Sequence, residues 1–176
     1  MAVLPKVPAR VVWAVEQLAP APSDNILEIG CGPGLVVARV CPRLVRGTIT
    51  AIDRSALQVK KARAVNRDFV ASGRARIEIM TLTDAPAALR QRFAKVLAVN
   101  VNAFWTEPDT SITSLRALLR SGGRAFLVYE APSAAGARKL RASLPQILSA
   151  RGLSVEDVRV GSQPAAPRFC VVARKT

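Results

Sequence analysis

The stretch ILEIGCGPG, Ile26 to Gly34, constrains this chain more than any other. A short aliphatic run reads as a buried strand. It passes into three glycines separated by single residues, and a helical pattern, LVVARVCPRL, begins at once. Glycine lets a backbone turn tightly and lets a ligand approach closely. A helix that starts at such a loop presents free N–H groups to whatever lies above it. A carboxylate, Glu28, sits inside the apolar run, where an acid is costly unless it has a partner.

The rest of the chain repeats the same alternation. VPARVVWAVEQLA (7–19) has helical spacing, and APAPSDN ends it. GTITAID is a second strand. SALQVKKARAVNRDFVASG is one long amphipathic helix, with Ser55 as N-cap and Gly73 as terminator. ARIEIMT and AKVLAVN are the third and fourth strands. SITSLRALLRSGG is a helix closed by two glycines, and RAFLVYEA is the fifth strand. SAAGARKLRASLPQILSARG is a helix interrupted at Pro145. LSVEDVRV and PRFCVVARK are a closing pair, joined only by GSQPAAP, too short for a parallel crossover. The expectation is an α/β fold: a doubly wound, mostly parallel seven-stranded sheet with an antiparallel last strand and helices on both faces. Residues 1–176 read as one domain, with 1–23 as an N-terminal helix and linker.

Ligands of open α/β sheets sit beyond the carboxyl ends of the strands. A dinucleotide fingerprint needs G-x-G-x-x-G/A, and its third slot holds Leu35 here, which breaks the match. The spacing present is E-x-G-x-G-x-G. It resembles the first motif of class I S-adenosylmethionine-dependent methyltransferases. Asp53 ends the second strand, where that family binds the ribose hydroxyls. Thr83-Asp84-Ala85 is similar to the family's G-D-A segment, whose acid meets the adenine amino group. FAKVLAVNVNAFW and LRALLRSGGRAFLV resemble its fourth- and fifth-strand segments, so the likeness covers roughly residues 10–130 in register.

That resemblance implies S-adenosyl-L-methionine as cofactor, held by Glu28, Gly30, Cys31, Gly32, Gly34, Asp53, Arg54, Leu82, Thr83, Asp84 and Asn100. The glycines would admit the methionine part, with Glu28 near its ammonium. The acceptor would meet Asn102, Phe104, Trp105, Glu130 and Pro132. NVNAFW is not the N/D-P-P-Y/F segment linked to methylation of planar nitrogens. Trp105 could equally be a packing residue.

Methyl transfer from a sulfonium is an in-line displacement, so positioning and desolvation supply most of the acceleration. The chain contains no histidine, which removes the commonest general base. Glu107, Asp109 and Glu130 are the candidates by position, and no catalytic residue stands out. The three cysteines, Cys31, Cys41 and Cys170, have no metal-ligand spacing and read as reduced thiols. No metal is expected. No apolar run suits a membrane helix or a secretory signal, which implies a cytoplasmic protein.

Lys and Arg total 26 against 12 Asp and Glu, a net charge of +14. The arginines are scattered along the chain rather than clustered, which reads as compositional bias. The expected function is methyl transfer to a small-molecule acceptor. RNA or another nucleic acid is the alternative acceptor. A non-catalytic or oxidoreductase nucleotide-binding domain is a second alternative. The acceptor side lacks a capping insertion, so it stands open or is closed by a second copy of the chain or by the short N-terminal helix.

Overall fold

The computed structural model describes residues 7–89, 92–162 and 167–176. Seven strands form one sheet: β1 (Asn25–Ile29), β2 (Thr48–Asp53), β3 (Ala75–Ile79), β4 (Phe93–Val99), β5 (Leu119–Glu130), β6 (Ser154–Val160) and β7 (Arg168–Arg174). Their spatial order is β3-β2-β1-β4-β5-β7-β6. β7 runs antiparallel to both of its neighbours, and the other pairings are parallel. Strand order reverses between β1 and β4. The expected mixed sheet is therefore the observed one.

Period-two alternation decides which helix each strand residue meets. Ile26, Ile49, Ala51, Ile77, Leu97 and Phe126 point to one face, covered by α1 (Ala9–Leu18), α2 (Leu35–Val40) and α3 (Ala56–Val65). Leu27, Ile29, Ile52, Val96, Ala98 and Leu127 point to the other. That face is covered by α5 (Ala85–Ala88), α6 (Ala103–Thr106), α7 (Pro108–Leu118) and α8 (Ala134–Ser149). Fully burying a Leu, Ile or Phe contributes about 1.5–3 kcal/mol each, so both layers hold the sheet edges of the loops firmly.

Three local expectations need correction. The long helix expected over 55–73 breaks at Asn66 into α3 and α4 (Arg67–Ala71). Asn66 leaves helical geometry at φ −110° and ψ 24°, because its side chain is committed elsewhere. The helix expected to be interrupted at Pro145 runs unbroken through it as α8. The Gly122-Gly123 turn is drawn into β5, since Gly122 donates to the Lys175 carbonyl and Lys175 donates back to Gly123, each at 2.9 Å. Pairing with β4 shifts register there, between Phe93 and Lys95. The connection GSQPAAP lies partly outside the described residues, and so do residues 1–6 of the N-terminal segment.

Candidate functional site

A cleft of ≈ 590 Å³ opens beyond the carboxyl ends of β1, β2, β3 and β4. Its floor is Ile29, Gly30, Ile52 and Asp53. One wall is Arg54 and Met80 to Thr83, and the other is Val99 to Ala103 with Thr106, Glu107 and Ser111.

The glycine loop is held from two sides. Gly30 and Cys31 donate to the Ile52 carbonyl at 2.8 and 3.0 Å, which staples the loop to β2. Asp53 Oδ2 accepts from the Gly32 N–H at 2.9 Å, and Oδ1 accepts from the Ser55 N–H at 2.9 Å. Asp53 thus joins the loop to the start of α3 and keeps lone pairs free for hydroxyl donors. Gly30, Gly32 and Gly34 all have positive φ, at 70°, 50° and 79°. Their surroundings differ. A Cβ on Gly32 would meet nothing within 4 Å, while one on Gly34 would lie 2.5 Å from Asn66 Nδ2 and 2.9 Å from Ala62 Cβ. Gly32 leaves room above the loop, and Gly34 is where α3 packs against it.

Asn66 is the residue that sequence reasoning missed. It is 1% exposed, and its Nδ2 donates to the carbonyls of Gly34 (3.0 Å) and Ala62 (2.8 Å). A signal existed: Val59, Ala62 and Asn66 share helical spacing, which places an amide on the buried stripe.

Glu28 is 3% exposed, lies under the loop rather than on the cleft wall, and leaves Oε2 without a hydrogen-bond partner. Burial first, and then the neighbouring Asp53 carboxylate, holds its pKa well above the usual carboxylate range. A buried carboxyl with an unmet oxygen, beneath a glycine with open space above it, fits a ligand bearing an ammonium group. Cys31 is also buried, and its thiol pKa is pushed up by desolvation first, with Glu28 and Asp53 adding to it.

The remaining expected residues divide. Leu82, Thr83, Arg54, Asn100 and Asn102 line the cleft. Asp84 does not: it precedes α5, and Thr81 Oγ1 donates to its Oδ2 at 2.5 Å. Phe104 is 0% exposed and packs in the core with α7 and β5 residues, so it is a core residue rather than an acceptor contact. Trp105 is 41% exposed and does not line the cleft. Glu130 is tied up, with Arg10 at 3.6 Å and Arg168 at 3.3 Å. Asp109 pairs with Arg151 at 2.8 Å. Of the three acids expected as bases, Glu107 lines the cleft and makes no ion pair among the described residues.

The far wall has its own fastening. Asn100 takes a left-handed backbone at φ 56°, which an asparagine tolerates. Its N–H donates to Val128 O and its Oδ1 accepts from the Glu130 N–H, both at 2.8 Å. Tyr129 Oη donates to the Val101 carbonyl at 2.6 Å, and its ring stacks on Phe169 with centroids 5.6 Å apart.

Among the described residues no group of three or more His, Cys, Asp or Glu could hold a metal ion, and no helix is long and apolar enough to cross a membrane. Cys31, Cys41 and Cys170 are free and buried.

Known proteins match this arrangement. A methyltransferase-domain family model matches residues 26–123, more than half of the chain. YdaC, an uncharacterised methyltransferase of Bacillus subtilis (strain 168), is 27% identical over 168 residues, 93% of this chain and 90% of its own. Magnesium protoporphyrin IX methyltransferase (ChlM) from Synechocystis PCC 6803, crystallised with bound SAM, superposes with a TM-score of 0.70 at 18% identity, over 94% of this chain and 76% of its own. Geranyl diphosphate C-methyltransferase from Streptomyces coelicolor A3(2), crystallised with Mg2+, geranyl diphosphate and S-adenosyl-L-homocysteine, gives 0.70 at 12% identity, over 96% and 79%. The two structural likenesses speak to the fold, and the family match speaks to the chemistry. The chain belongs to the methyltransferase-domain family, as a class I S-adenosylmethionine-dependent enzyme.

Proposed function

We propose that the cleft holds S-adenosylmethionine and passes its methyl group to a small, non-anionic acceptor. The cofactor supplies a methyl group on a sulfonium, already an excellent leaving group. The methionine part would lie over Gly30 to Gly34 with its ammonium towards Glu28, the ribose at Asp53, and the adenine beside Leu82 and Thr83. The chain's own work is alignment and exclusion of water. Asp53 fixes the glycine loop, and Asn100 and Tyr129 fix the wall that the acceptor would meet. Where the acceptor must lose a proton, Glu107 is the carboxylate placed to take it.

One observation carries the choice of acceptor. Among the described residues the cleft lining holds Asp53 and Glu107 but only one basic residue, Arg54, in a chain of net charge +14. A cleft built for the phosphates of RNA would gather arginines at its rim. Isothermal titration with S-adenosylmethionine, followed by transfer of a radiolabelled methyl group to panels of amines, phenols, carboxylic acids and total RNA, tests this. Micromolar cofactor binding with labelling of a neutral or cationic small molecule is expected. Labelling of RNA alone would reject the small-acceptor reading.

A further inference from the structure

The wall beyond β4 holds polar side chains that the fold itself does not use. Asn102 precedes α6, Glu107 precedes α7, and Ser111 sits in the first turn of α7. All three line the cleft. Neighbouring hydroxyls are spent on the backbone: Thr106 Oγ1 donates to the Asn102 carbonyl at 3.1 Å, and Thr110 Oγ1 donates to the Glu107 carbonyl at 3.3 Å. Ser111 differs. It is 3% exposed, and its hydroxyl makes no hydrogen bond among the described residues. A serine inside a helix ordinarily turns to solvent or bonds the carbonyl four residues back. Here that carbonyl, of Glu107, accepts instead from the Ser111 N–H, at 3.2 Å, and from the Thr110 hydroxyl. A buried hydroxyl left unmet is costly, and one that opens on a cleft is a place for a ligand to bond.

Two features of the lining narrow what that ligand carries. No aromatic side chain lines the cleft among the described residues: Phe104 is in the core and Trp105 is off the lining. A planar acceptor, whether a phenol or a nucleobase, has no platform to stack on. A fully substituted ammonium has no aromatic cage. The basic side chain among the described lining residues, Arg54, stands on the opposite wall with Met80 to Thr83. A carboxylate, phenolate or thiolate beside Glu107 would meet a like charge, with no cation on its own wall. A protonated amine there meets an opposite charge.

We propose that the methyl acceptor is a primary aliphatic amine, held at the wall beyond β4 by Glu107, Ser111 and Asn102. The inference rests on the reading of the cleft as a cofactor site and names what stands opposite the cofactor. The amine arrives as an ammonium, drawn by Glu107. It gives one proton to the Glu107 carboxylate, which frees the nitrogen lone pair. Its two remaining N–H groups donate to Ser111 Oγ and Asn102 Oδ1. The lone pair attacks the methyl carbon in line while the carbon–sulfur bond breaks, and the electrons of that bond stay on sulfur. An N-methylammonium and S-adenosylhomocysteine leave, and the proton on Glu107 passes to solvent. Glu107 is the general base in this scheme, and Ser111 orients the nitrogen.

The test is transfer of a radiolabelled methyl group by the full chain to 1,4-diaminobutane, ethanolamine and lysine, against 4-methylphenol, aniline, butyrate and total RNA. Labelling of an aliphatic amine alone is expected. Ser111→Ala should raise the amine KM about three- to tenfold, the loss of one hydrogen bond. Its cofactor Kd, read by calorimetry, should stay within about threefold of the wild type, which reports that it is folded. Saturation-transfer NMR of 1,4-diaminobutane with the S-adenosylhomocysteine complex reads binding without turnover and should show the same weakening. Glu107→Gln should lose about 10²–10⁴-fold in kcat near neutral pH. It should regain that loss as pH rises towards the amine's own pKa of about 10, because solvent then takes the proton. A merely structural role would give a loss that pH does not repair. Cofactor binding with no amine labelled overturns this inference and leaves the cofactor reading standing, and so does labelling of amines that neither variant changes. Absence of cofactor binding removes the cofactor reading, and this inference with it.

Discussion

The two walls of the cleft are fastened by different means. The wall proposed to hold the cofactor is fastened by short-range bonds around glycines: Asp53 to Gly32, Ile52 to Gly30 and Cys31, and Asn66 to Gly34. The wall proposed to meet the acceptor is held by side chains that reach between β4 and β5, with Asn100 to the Glu130 N–H and Tyr129 to Val101. The first wall depends on the absence of side chains, and the second on particular side chains. Substitutions on the first should therefore act through loop geometry and cofactor affinity. Substitutions on the second should act on the acceptor and on turnover.

The largest test contrasts two glycines with similar φ. Gly34→Val adds a branched side chain where a Cβ alone would meet Asn66 Nδ2 at 2.5 Å. Left-handed strain and overpacking together should cost about 3 kcal/mol or more. Urea denaturation should show the loss, and calorimetry should show no cofactor binding. Gly32→Ala faces open space and should cost only about 1–2 kcal/mol from its backbone strain. Equal effects at the two positions would break the distinction between packing and access.

Glu107→Gln probes the other wall. With an acceptor that loses a proton, kcat should fall about 10²–10⁴-fold while cofactor Kd moves less than about threefold. A matching rise in Kd would place Glu107 on the cofactor side instead. Asp53→Ala comes next. It leaves the Gly32 and Ser55 amides without their charged acceptor. Losing a charged hydrogen bond costs about 1.5–3 kcal/mol, which is about ten- to a hundredfold in cofactor Kd by titration. Tyr129→Phe should cost about 1–2 kcal/mol in urea, by stranding the Val101 carbonyl. It should raise the acceptor KM more than the cofactor Kd. The reverse ordering would show that the two walls are one unit.

A pH scan changes no residue. Burial raises Glu28, so the native chain keeps that proton at pH values where the unfolded chain has lost it. Stability of the cofactor-free protein should therefore fall as pH rises from the ordinary carboxylate value of 4.5 towards the raised one. Glu28→Gln should flatten this slope in urea midpoints measured across that range. A cofactor ammonium beside Glu28 favours the charged form, so binding should release a proton, seen as a buffer-dependent enthalpy in the wild type and not in the variant. The three buried thiols should stay silent throughout. Cys41 and Cys170 are each pushed up to about 12 by burial, so neither should be alkylated at pH 8 before unfolding.

The geometry of the glycine-loop side was legible because it rests on residue types that local sequence displays. Three glycines after an aliphatic run require positive φ, and an acid at the end of β2 stands next to them in any parallel pairing of β1 with β2. The opposite wall was not legible, for the contrary reason. Phe104 and Trp105 are neighbours in NVNAFW, yet one is core and the other is exposed. The rotation of the four-residue helix α6 decides which is which. Glu130 looked available because its partners, Arg10 and Arg168, are far away in the chain.

The amino-acid sequence by itself determined the alternation of strands and helices, the parallel sheet with an antiparallel end, the glycine loop and its acids. Each follows from periodicity, chain length between strands, and steric freedom within a few residues. Tertiary structure alone decided two things: that Asn66 locks Gly34, and that of Glu107, Asp109 and Glu130 it is Glu107 that lines the cleft without an ion pair among the described residues. Both depend on contacts between segments far apart in sequence, which no local pattern of residues displays.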